Sequence, residues 1–216
     1  MYQVEGVKQS FTALAAPPLR FTLEAEFLTP PLSKTALRVR LRGLRRRLSA
    51  EIPDAAERAA QRLPLARLPP FQVFSLYHPM GSEMDPRPLL AALRHAGAHA
   101  ALPATGGRDE TMTFRLWEPA MRLEPDAFGI PAPPPLSPAV EPDLVVAPLL
   151  AFDRAGRRLG QGAGHYDRTL ANLRARKAVF VLGLGFAGQE IAELPDEAHD
   201  ERLDAILTET DYIEVG

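Results

Sequence analysis

Residues 143–186 read DLVVAPLLAFDRAGRRLGQGAGHYDRTLANLRARKAVFVLGLGF. The apolar runs at residues 143–152 and 177–186 are typical of buried strands, and residues 166–176 between them are typical of a helix. A glycine-rich stretch separates the first strand from the helix. Strands that alternate with helices in this way predict a mainly parallel sheet with helices on both faces.

The rest of the chain extends this alternation. In the first helical segment, leucines recur every three or four residues, which places them on one helical face, and a serine precedes them as a candidate N-cap. These residues are Leu37, Leu41, Leu44, Leu48 and Ser33. The patterns predict helices at residues 34–48, 54–63 and 86–95, strands at residues 71–77, 98–102, 111–117 and 204–208, and an irregular proline-rich segment at residues 128–142.

Composition limits the classes of protein that the chain can represent. It has 216 residues, of which 46% are hydrophobic, enough for a sizeable core. The formal net charge is −2, so the whole molecule has no strong attraction for nucleic acids or anionic membranes. The absence of cysteine excludes disulfides, thiolate metal sites and cysteine nucleophiles. Without a recognisable membrane span or secretory signal, we expect a cytoplasmic protein. We interpret residues 1–33 as an N-terminal extension and residues 34–216 as one domain.

The glycine-rich stretch at residues 157–170, RRLGQGAGHYDRTL, follows a predicted strand, where ligands bind in sheets of this type. Glycines let a backbone approach a ligand closely, and successive N–H groups can form an anion-binding concavity. A helix that begins near His165 would add its N-terminal dipole. Charge would come from Arg157, Arg158 and Arg168. The stretch therefore favours a nucleotide phosphate site, with a plain flexible loop as the alternative. It matches neither the P-loop nor the Rossmann fingerprint.

Other polar features can each be interpreted in two ways. Lys34 and Arg38 lie in the first turns of the basic first helix, where they can be solvated or can reach a ligand. Glu83 and Asp85 follow a predicted strand and can cap the next helix or bind a ligand. Trp117, taken alone, is more typical of core packing than of stacking on a ligand. The histidines have no spacing typical of a metal motif.

Several segments, taken in order, carry a family resemblance. They are KTALR (residues 34–38), YHPMGSEMD (77–85), MTFRLW (112–117), GIPAP (129–133), LAFDRAGRRLGQGAGHYDRTL (150–170) and LPDEAHDERLDAILTE (194–209). Over about residues 34–210 the chain resembles the 5-formyltetrahydrofolate cyclo-ligases, also called methenyltetrahydrofolate synthetases. It departs from the family pattern at Ala163 and His165, where glycine and tyrosine are common, and at Ala132, where glutamate is frequent.

The resemblance implies a single three-layer α/β/α domain with a mainly parallel, Rossmann-like sheet. It also implies that ATP and Mg²⁺ are used to convert 5-formyltetrahydrofolate to 5,10-methenyltetrahydrofolate, giving ADP and phosphate. Carried over by position, Lys34 and Arg38 would be catalytic, and Asp167 and Asp200 would bind Mg²⁺. ATP would contact Lys34, Thr35, Ala36, Leu37, Arg38, Arg158, Leu159, Gly160, Gln161, Gly162, Ala163, Gly164, His165 and Tyr166. The folate would contact Glu83, His78 and Trp117.

We expect a monomer whose partner is the small-molecule folate, with neither nucleic acid nor membrane bound. Two alternatives stay open. The loop could serve another ATP-using small-molecule enzyme, or a paralogue with an altered substrate. The arginines at residues 38–47 could instead make the first helix an RNA-binding surface, although interleaved aromatic residues for base stacking are missing.

Overall fold

A computed structural model of the protein describes residues 33–95 and 97–216, except for the His95 side chain. The expected N-terminal extension thus lies outside the described residues, apart from Ser33. Within these ranges the helices are α1 (Lys34–Glu51), α2 (Ala55–Arg62), α3 (Leu89–His95) and α4 (His165–Arg174), with short 3₁₀ turns at Leu65–Arg67 and Ala187–Gln189. The strands are β1 (Val73–Ser75), β2 (His99–Ala104), β3 (Thr113–Leu116), β4 (Glu124–Pro125), β5 (Pro131–Ala132), β6 (Ala139–Val140), β7 (Leu144–Pro148), β8 (Ala151–Phe152), β9 (Arg158–Leu159), β10 (Phe180–Leu184), β11 (Ala205–Leu207) and β12 (Tyr212–Glu214).

The central sheet of the described chain has the strand order β12-β11-β10-β7-β1-β2-β3-β6. The strands from β11 to β2 are parallel to one another, and the antiparallel strands lie at the two ends of the sheet. Strands β7 and β10, with α4 between them, are the parallel pair that the two apolar runs predict. The expectation of a mainly parallel sheet is confirmed.

Side chains of β7 alternate between two helical layers. Leu144 and Val146 pack in one core cluster with side chains of α2 and α3, whereas Val145 packs in another with Leu170 and Leu173 of α4. A strand that is buried on both faces reads as a continuous apolar run, as this one does. The expected three-layer α/β/α architecture in a single domain is confirmed, while the boundary at residue 34 stays a prediction.

Helix α1 begins where its sequence indicates. The Ser33 hydroxyl accepts a hydrogen bond of 3.3 Å from Ala36 N and caps the helix. Leu37, Leu41 and Leu48 are buried, and the first two pack against the β8–β9 hairpin. Burial of the leucine face therefore brings the first turn of α1 to the glycine-rich stretch.

Two segments differ from the expectation based on sequence. Residues 128–142, which their prolines predict to be irregular, contain β5 and β6, and β6 adds an edge strand to the sheet by pairing with β3. An edge strand tolerates neighbouring prolines because only one of its sides forms the ladder. The apolar run at residues 143–152 divides into β7 and β8. Strand β8 forms a hairpin with β9, which lies at the start of the glycine-rich stretch.

The buried Asp153 carboxylate holds the turn of this hairpin. It accepts hydrogen bonds from Ala155 N and Arg157 N, both at 3.0 Å, in the manner of an Asx turn. Its other oxygen accepts a hydrogen bond of 3.0 Å from Leu194 N. One side chain thus fixes the entry to the glycines and ties the hairpin to the acidic segment around Asp200.

Candidate active site

A cleft with a volume of about 580 Å³ opens beyond the carboxyl ends of β1, β2 and β7. In parallel sheets this edge is where ligands bind. Tyr77 and His78 line the cleft from the segment after β1, Thr105 from the end of β2 and Leu149 from the end of β7. The glycine-rich stretch and the start of α1 complete the lining, so segments that are far apart in the sequence meet here.

Side chains of α1 bind the backbone of the glycine-rich stretch directly. Arg38 Nε donates a hydrogen bond of 3.0 Å to the carbonyl oxygen of Gly160. Arg42 donates to both the side chain and the backbone carbonyl of Gln161, at 3.0 and 3.2 Å. The basic helix is therefore a wall of the cleft along this face, and its residues Lys34 and Arg38 line the cleft together with the loop.

Glycine is required at two positions of this loop. Gly162 has a φ of +106° and Gly164 a φ of +69°, a region that side chains with a Cβ rarely adopt. A Cβ on Gly162 would lie 3.2 Å from Arg38 Cζ, and one on Gly164 would lie 2.6 Å from a terminal nitrogen of Arg168. The loop can lie this close to the arginines only without side chains, and α4 begins immediately after Gly164.

Lys34 and two acids form a cluster at the cleft. Lys34 Nζ lies 2.8 Å from Asp200 Oδ2 and 3.1 Å from Glu197 Oε1. Burial disfavours the ammonium charge, but the hydrogen bonds to both carboxylates outweigh it and raise the pKa of Lys34 above its ordinary value. Burial likewise opposes the Asp200 charge, yet the bonds from Lys34 and from Glu197 N lower the pKa of Asp200. Both groups are therefore charged at neutral pH.

Arg158 supplies a second buried cation beside the loop. Its side chain is 3% exposed and donates a hydrogen bond of 2.8 Å to Asp167 Oδ1. Its Cζ lies 5.4 Å from the centroid of the Tyr166 ring, within range of a cation–π contact. Its Nε is buried without a partner among the described residues.

Burial, together with the nearby Glu83 carboxylate, raises the pKa of Tyr166 far above its ordinary value.

His165 makes a hydrogen bond at the wall of the cleft. Its Nδ1 lies 3.2 Å from a terminal nitrogen of Arg168, which can only donate, so Nδ1 accepts and the ring proton resides on Nε2. This Nε2 is buried and has no partner among the described residues. The ring also contacts Phe128 edge-on at 5.0 Å. An unsatisfied donor and an aromatic edge thus lie together at the wall of the cleft.

The remaining predicted residues divide into two groups. Glu83, His78 and the residues from 158 to 167 line the cleft. Thr35, Ala36, Leu37 and Trp117 are not among its lining residues. Leu37 is 6% exposed and Trp117 is 8% exposed, because both belong to hydrophobic clusters of the core.

Sequence reasoning also missed residues that line or support the site. Arg45 lies four positions after Leu41, on the leucine face of α1, and an arginine on an apolar face was the available signal. Asp126 accepts hydrogen bonds from Thr105 N and Phe128 N, which keeps the Phe128 segment at the cleft. That contact spans chain-distant loops, and no spacing in the sequence indicates it.

The acids at the cleft also bear on metal binding. Glu197, His199 and Asp200 present ligand atoms that all lie within 4.8 Å of one another. Asp167, the other predicted ligand, lines the same cleft but is engaged by Arg158. Carboxylate oxygens are the ligands that Mg²⁺ prefers, so the residues present are chemically suited to that ion.

The fold and this cleft define an α/β enzyme whose glycine loop, basic helix and carboxylates converge at one edge of a parallel sheet. The model of the 5-formyltetrahydrofolate cyclo-ligase family matches residues 31–209. The chain belongs to the 5-formyltetrahydrofolate cyclo-ligase family, a family of ligases.

Curated relatives and solved structures agree with this membership. The chain is 30% identical to the 5-formyltetrahydrofolate cyclo-ligase of Haemophilus influenzae over 79% of its own length and 95% of the relative's. It is 35% identical to the enzyme of the same name from Mycolicibacterium smegmatis, over 61% and 71% of the two chains. Its fold matches the 5,10-methenyltetrahydrofolate synthetase of Aquifex aeolicus with a TM-score of 0.69 at 28% identity, covering 85% of this chain and 93% of that one. Within the described residues, no helix is both long and apolar enough to cross a membrane.

Proposed function

We propose that this protein converts 5-formyltetrahydrofolate to 5,10-methenyltetrahydrofolate with ATP, giving ADP and phosphate, and that the reaction takes place in the cleft described above. The observation that carries the proposal is the meeting of Lys34, the glycine loop and Glu83 in one cavity. A cation, a backbone anion cradle and a carboxylate can together receive a triphosphate and a heterocycle.

The nucleotide side of the cleft consists of the first turns of α1 and the loop at residues 158–166. Lys34 and Arg38 supply positive charge, and the glycines leave backbone N–H groups open to phosphate oxygens. The buried, unpartnered Arg158 Nε and His165 Nε2 are donors that a bound anion could satisfy. The start of α4 at His165 adds a helix N-terminus beside the same loop.

Mg²⁺ belongs to the proposal as well. Asp200 and Asp167 would hold it, with Glu197 as an additional carboxylate within reach of Asp200. When bound, the ion would screen the negative charge of the phosphate oxygens. Lys34 would then exchange its contact with Asp200 for a contact with the nucleotide.

The chemistry follows from the poor electrophilicity of a formamide. The formyl oxygen on N5 attacks the γ-phosphorus of ATP, ADP leaves, and the carbon becomes an activated iminium. N10 of the same folate attacks that carbon and gives up its proton to solvent, phosphate leaves with the C–O bond electrons, and the five-membered ring closes as the methenyl cation. Lys34, Arg38 and the loop amides align the reacting atoms and screen the charge that develops. A covalent enzyme nucleophile is not needed, in keeping with a sequence that has no cysteine.

The direct test is to incubate the purified chain with 5-formyltetrahydrofolate, ATP and Mg²⁺. We expect the absorbance band of the methenyl product to grow and ADP to appear in equal amount, and neither to occur when ATP is omitted. Well-folded protein that forms no ATP-dependent product would contradict the proposal. ATP hydrolysis without folate would instead favour a different ATP-using enzyme.

The contacts of the basic helix disfavour the RNA-binding alternative. Arg38, Arg42 and Arg45 all contact residues that line the cleft, so these cations are engaged within the site. We propose a monomeric, cytoplasmic protein that does not bind nucleic acid. Light scattering checks the first statement, and an electrophoretic shift assay with RNA at low salt checks the last.

A further inference from the structure

Arg45 is a buried cation that pairs with Glu83, the cleft residue assigned above to the folate. Its guanidinium and the Glu83 carboxylate form an ion pair at 3.2 Å in which each side chain is only 6% exposed. Arg45 also donates hydrogen bonds to Ser82 Oγ at 3.2 Å and to the Leu149 carbonyl at 3.4 Å. The residue therefore joins α1 to the segment after β1 and to the end of β7.

Stability alone does not account for this pair. Replacement of a buried ion pair by apolar side chains of similar volume is often neutral or stabilising, because the desolvation of two charges offsets their attraction. The neighbouring buried positions of α1 are leucines, such as Leu41 and Leu48, so the position suits an apolar residue. An arginine there points to a role in the site.

Glu83 itself is nearly saturated with hydrogen bonds. One carboxylate oxygen accepts from Arg45 and, at 3.4 Å, from Gln161 Nε2, and the other accepts from Met80 N at 2.9 Å. A carboxylate has about four acceptor positions, so little capacity is left and its direction is fixed. That arrangement suits the recognition of one N–H group of a heterocyclic substrate.

We propose that Arg45 is a positioning residue that holds the Glu83 carboxylate in the orientation needed to bind the folate. The inference rests on the proposed function, because it assigns Glu83 to the folate side of the cleft. In this proposal Arg45 touches neither substrate, and its effect on folate binding passes through Glu83, while its bonds to Ser82 and Leu149 hold the guanidinium in place. It should therefore affect folate and leave the nucleotide side unchanged.

The first experiment compares Arg45→Met with Arg46→Met, an exposed neighbour on the same helix. We expect Arg45→Met to raise KM for 5-formyltetrahydrofolate roughly tenfold or more, with KM for ATP unchanged, because a tenfold change corresponds to about 1.4 kcal/mol, close to the contribution of one hydrogen bond to a charged group. Arg46→Met should match the wild type in both constants. Arg45→Lys, which keeps a cation but loses the forked geometry, should lie between the two.

A double-mutant cycle separates positioning from a general structural effect. If Arg45 acts through Glu83, then Arg45→Met should change KM for folate little once Glu83→Gln is present. A wild-type folate KM in Arg45→Met, or fully additive effects in the double variant, would overturn the proposal. If Arg45→Met does not fold, Arg45→Lys and Ser82→Ala supply the same comparison. A wild-type KM for folate in both of these variants would overturn the positioning role of Arg45.

The outcome also distinguishes this inference from the proposed function. A wild-type protein that shows no ATP-dependent cyclisation would overturn both. A wild-type protein that turns over while the Arg45 variants raise both KM values together would overturn only the positioning role.

Discussion

Lys34 Nζ donates a hydrogen bond of 2.8 Å to Asp200 Oδ2, which joins the first turn of α1 to the acidic segment before β11. The Lys34 side chain is 16% exposed and that of Asp200 is 20% exposed, so the pair borders the cleft without being fully buried. Each partner of this pair is also a possible contact for a ligand. A triphosphate would compete with Asp200 for Lys34, and a divalent cation would compete with Lys34 for Asp200. We infer that nucleotide binding replaces one internal ion pair by two contacts with the ligand.

Removal of the lysine tests the nucleotide side of the cleft. We expect Lys34→Ala to raise KM for ATP roughly ten- to hundredfold, because a hydrogen bond to a charged group contributes about 1.5–3 kcal/mol. The loss of stability should be small, since the lysine borders solvent. Steady-state kinetics at saturating folate and a thermal melt give the two measurements.

Arg46→Ala is the control for this substitution, because it removes a positive charge from the exposed face of the same helix. It should leave KM for ATP unchanged. If KM for ATP is the same in Lys34→Ala as in the wild type, Lys34 does not belong to the nucleotide site.

Much of this arrangement could be predicted from the chain because it is local. The apolar runs that form β7 and β10 are continuous since both faces of the strands are buried, and the leucines of α1 recur at helical spacing. The glycine loop is recognisable because positive φ values at Gly162 and Gly164 require glycine. These features leave direct marks on short stretches of sequence.

Other parts depend on contacts between distant segments and leave weaker marks. Nothing in the spacing around Glu83 indicates that Arg45, 38 positions away, provides its counter-ion. For Trp117 the sequence suggests a contact that the cleft does not have. The resemblance to the family implies a contact with folate, whereas the Trp117 side chain packs in the hydrophobic core. The short edge strand β6 forms because β3 supplies a partner, and its own residues carry no strand signal.

The carboxylates of the cleft predict a dependence on Mg²⁺. We expect both Asp200→Asn and Asp167→Asn to raise the Mg²⁺ concentration required for half-maximal activity severalfold, because each removes a charged oxygen ligand. Activity titrated against Mg²⁺ at saturating ATP gives the midpoint. Asp196→Asn, which removes an acid from the same segment as Asp200, serves as the control. Midpoints identical to that of the wild type in both cleft variants would contradict the assignment.

Asp143 gives a prediction about stability away from the cleft. Its carboxylate accepts hydrogen bonds from Gln72 N and Val73 N and pairs with Lys177, which fastens the starts of β1 and β7 to the segment after α4. Burial opposes the charge, but the bonds from Lys177 and from the backbone outweigh it and lower the pKa of Asp143. The carboxylate thus contributes stability above the ordinary aspartate pKa of about 3.9, and this contribution is lost as pH falls through the lower pKa of the folded state.

Asp143→Asn should therefore lower the free energy of unfolding by about 1–3 kcal/mol near neutral pH, and the difference from the wild type should narrow in acid. Urea unfolding followed across this pH range measures both quantities. Asp109→Asn, at an exposed position, is the matched control. A difference that is constant down to strongly acidic pH would show that the charge of Asp143 does not matter.

Two glycines provide a final, paired prediction. Gly162 has a positive φ and lies against Arg38, whereas Gly43 lies inside α1 with open space around an added Cβ. Gly43→Ala should stabilise the protein by about 0.5–1 kcal/mol through helix propensity and leave catalysis unchanged. Gly162→Ala should strain the loop, displace Arg38 and raise KM for ATP, while KM for 5-formyltetrahydrofolate changes less. Steady-state kinetics and thermal melts on both variants measure KM and stability. A Gly162→Ala protein with the wild-type KM for ATP would show that ATP binding does not depend on the conformation of this loop.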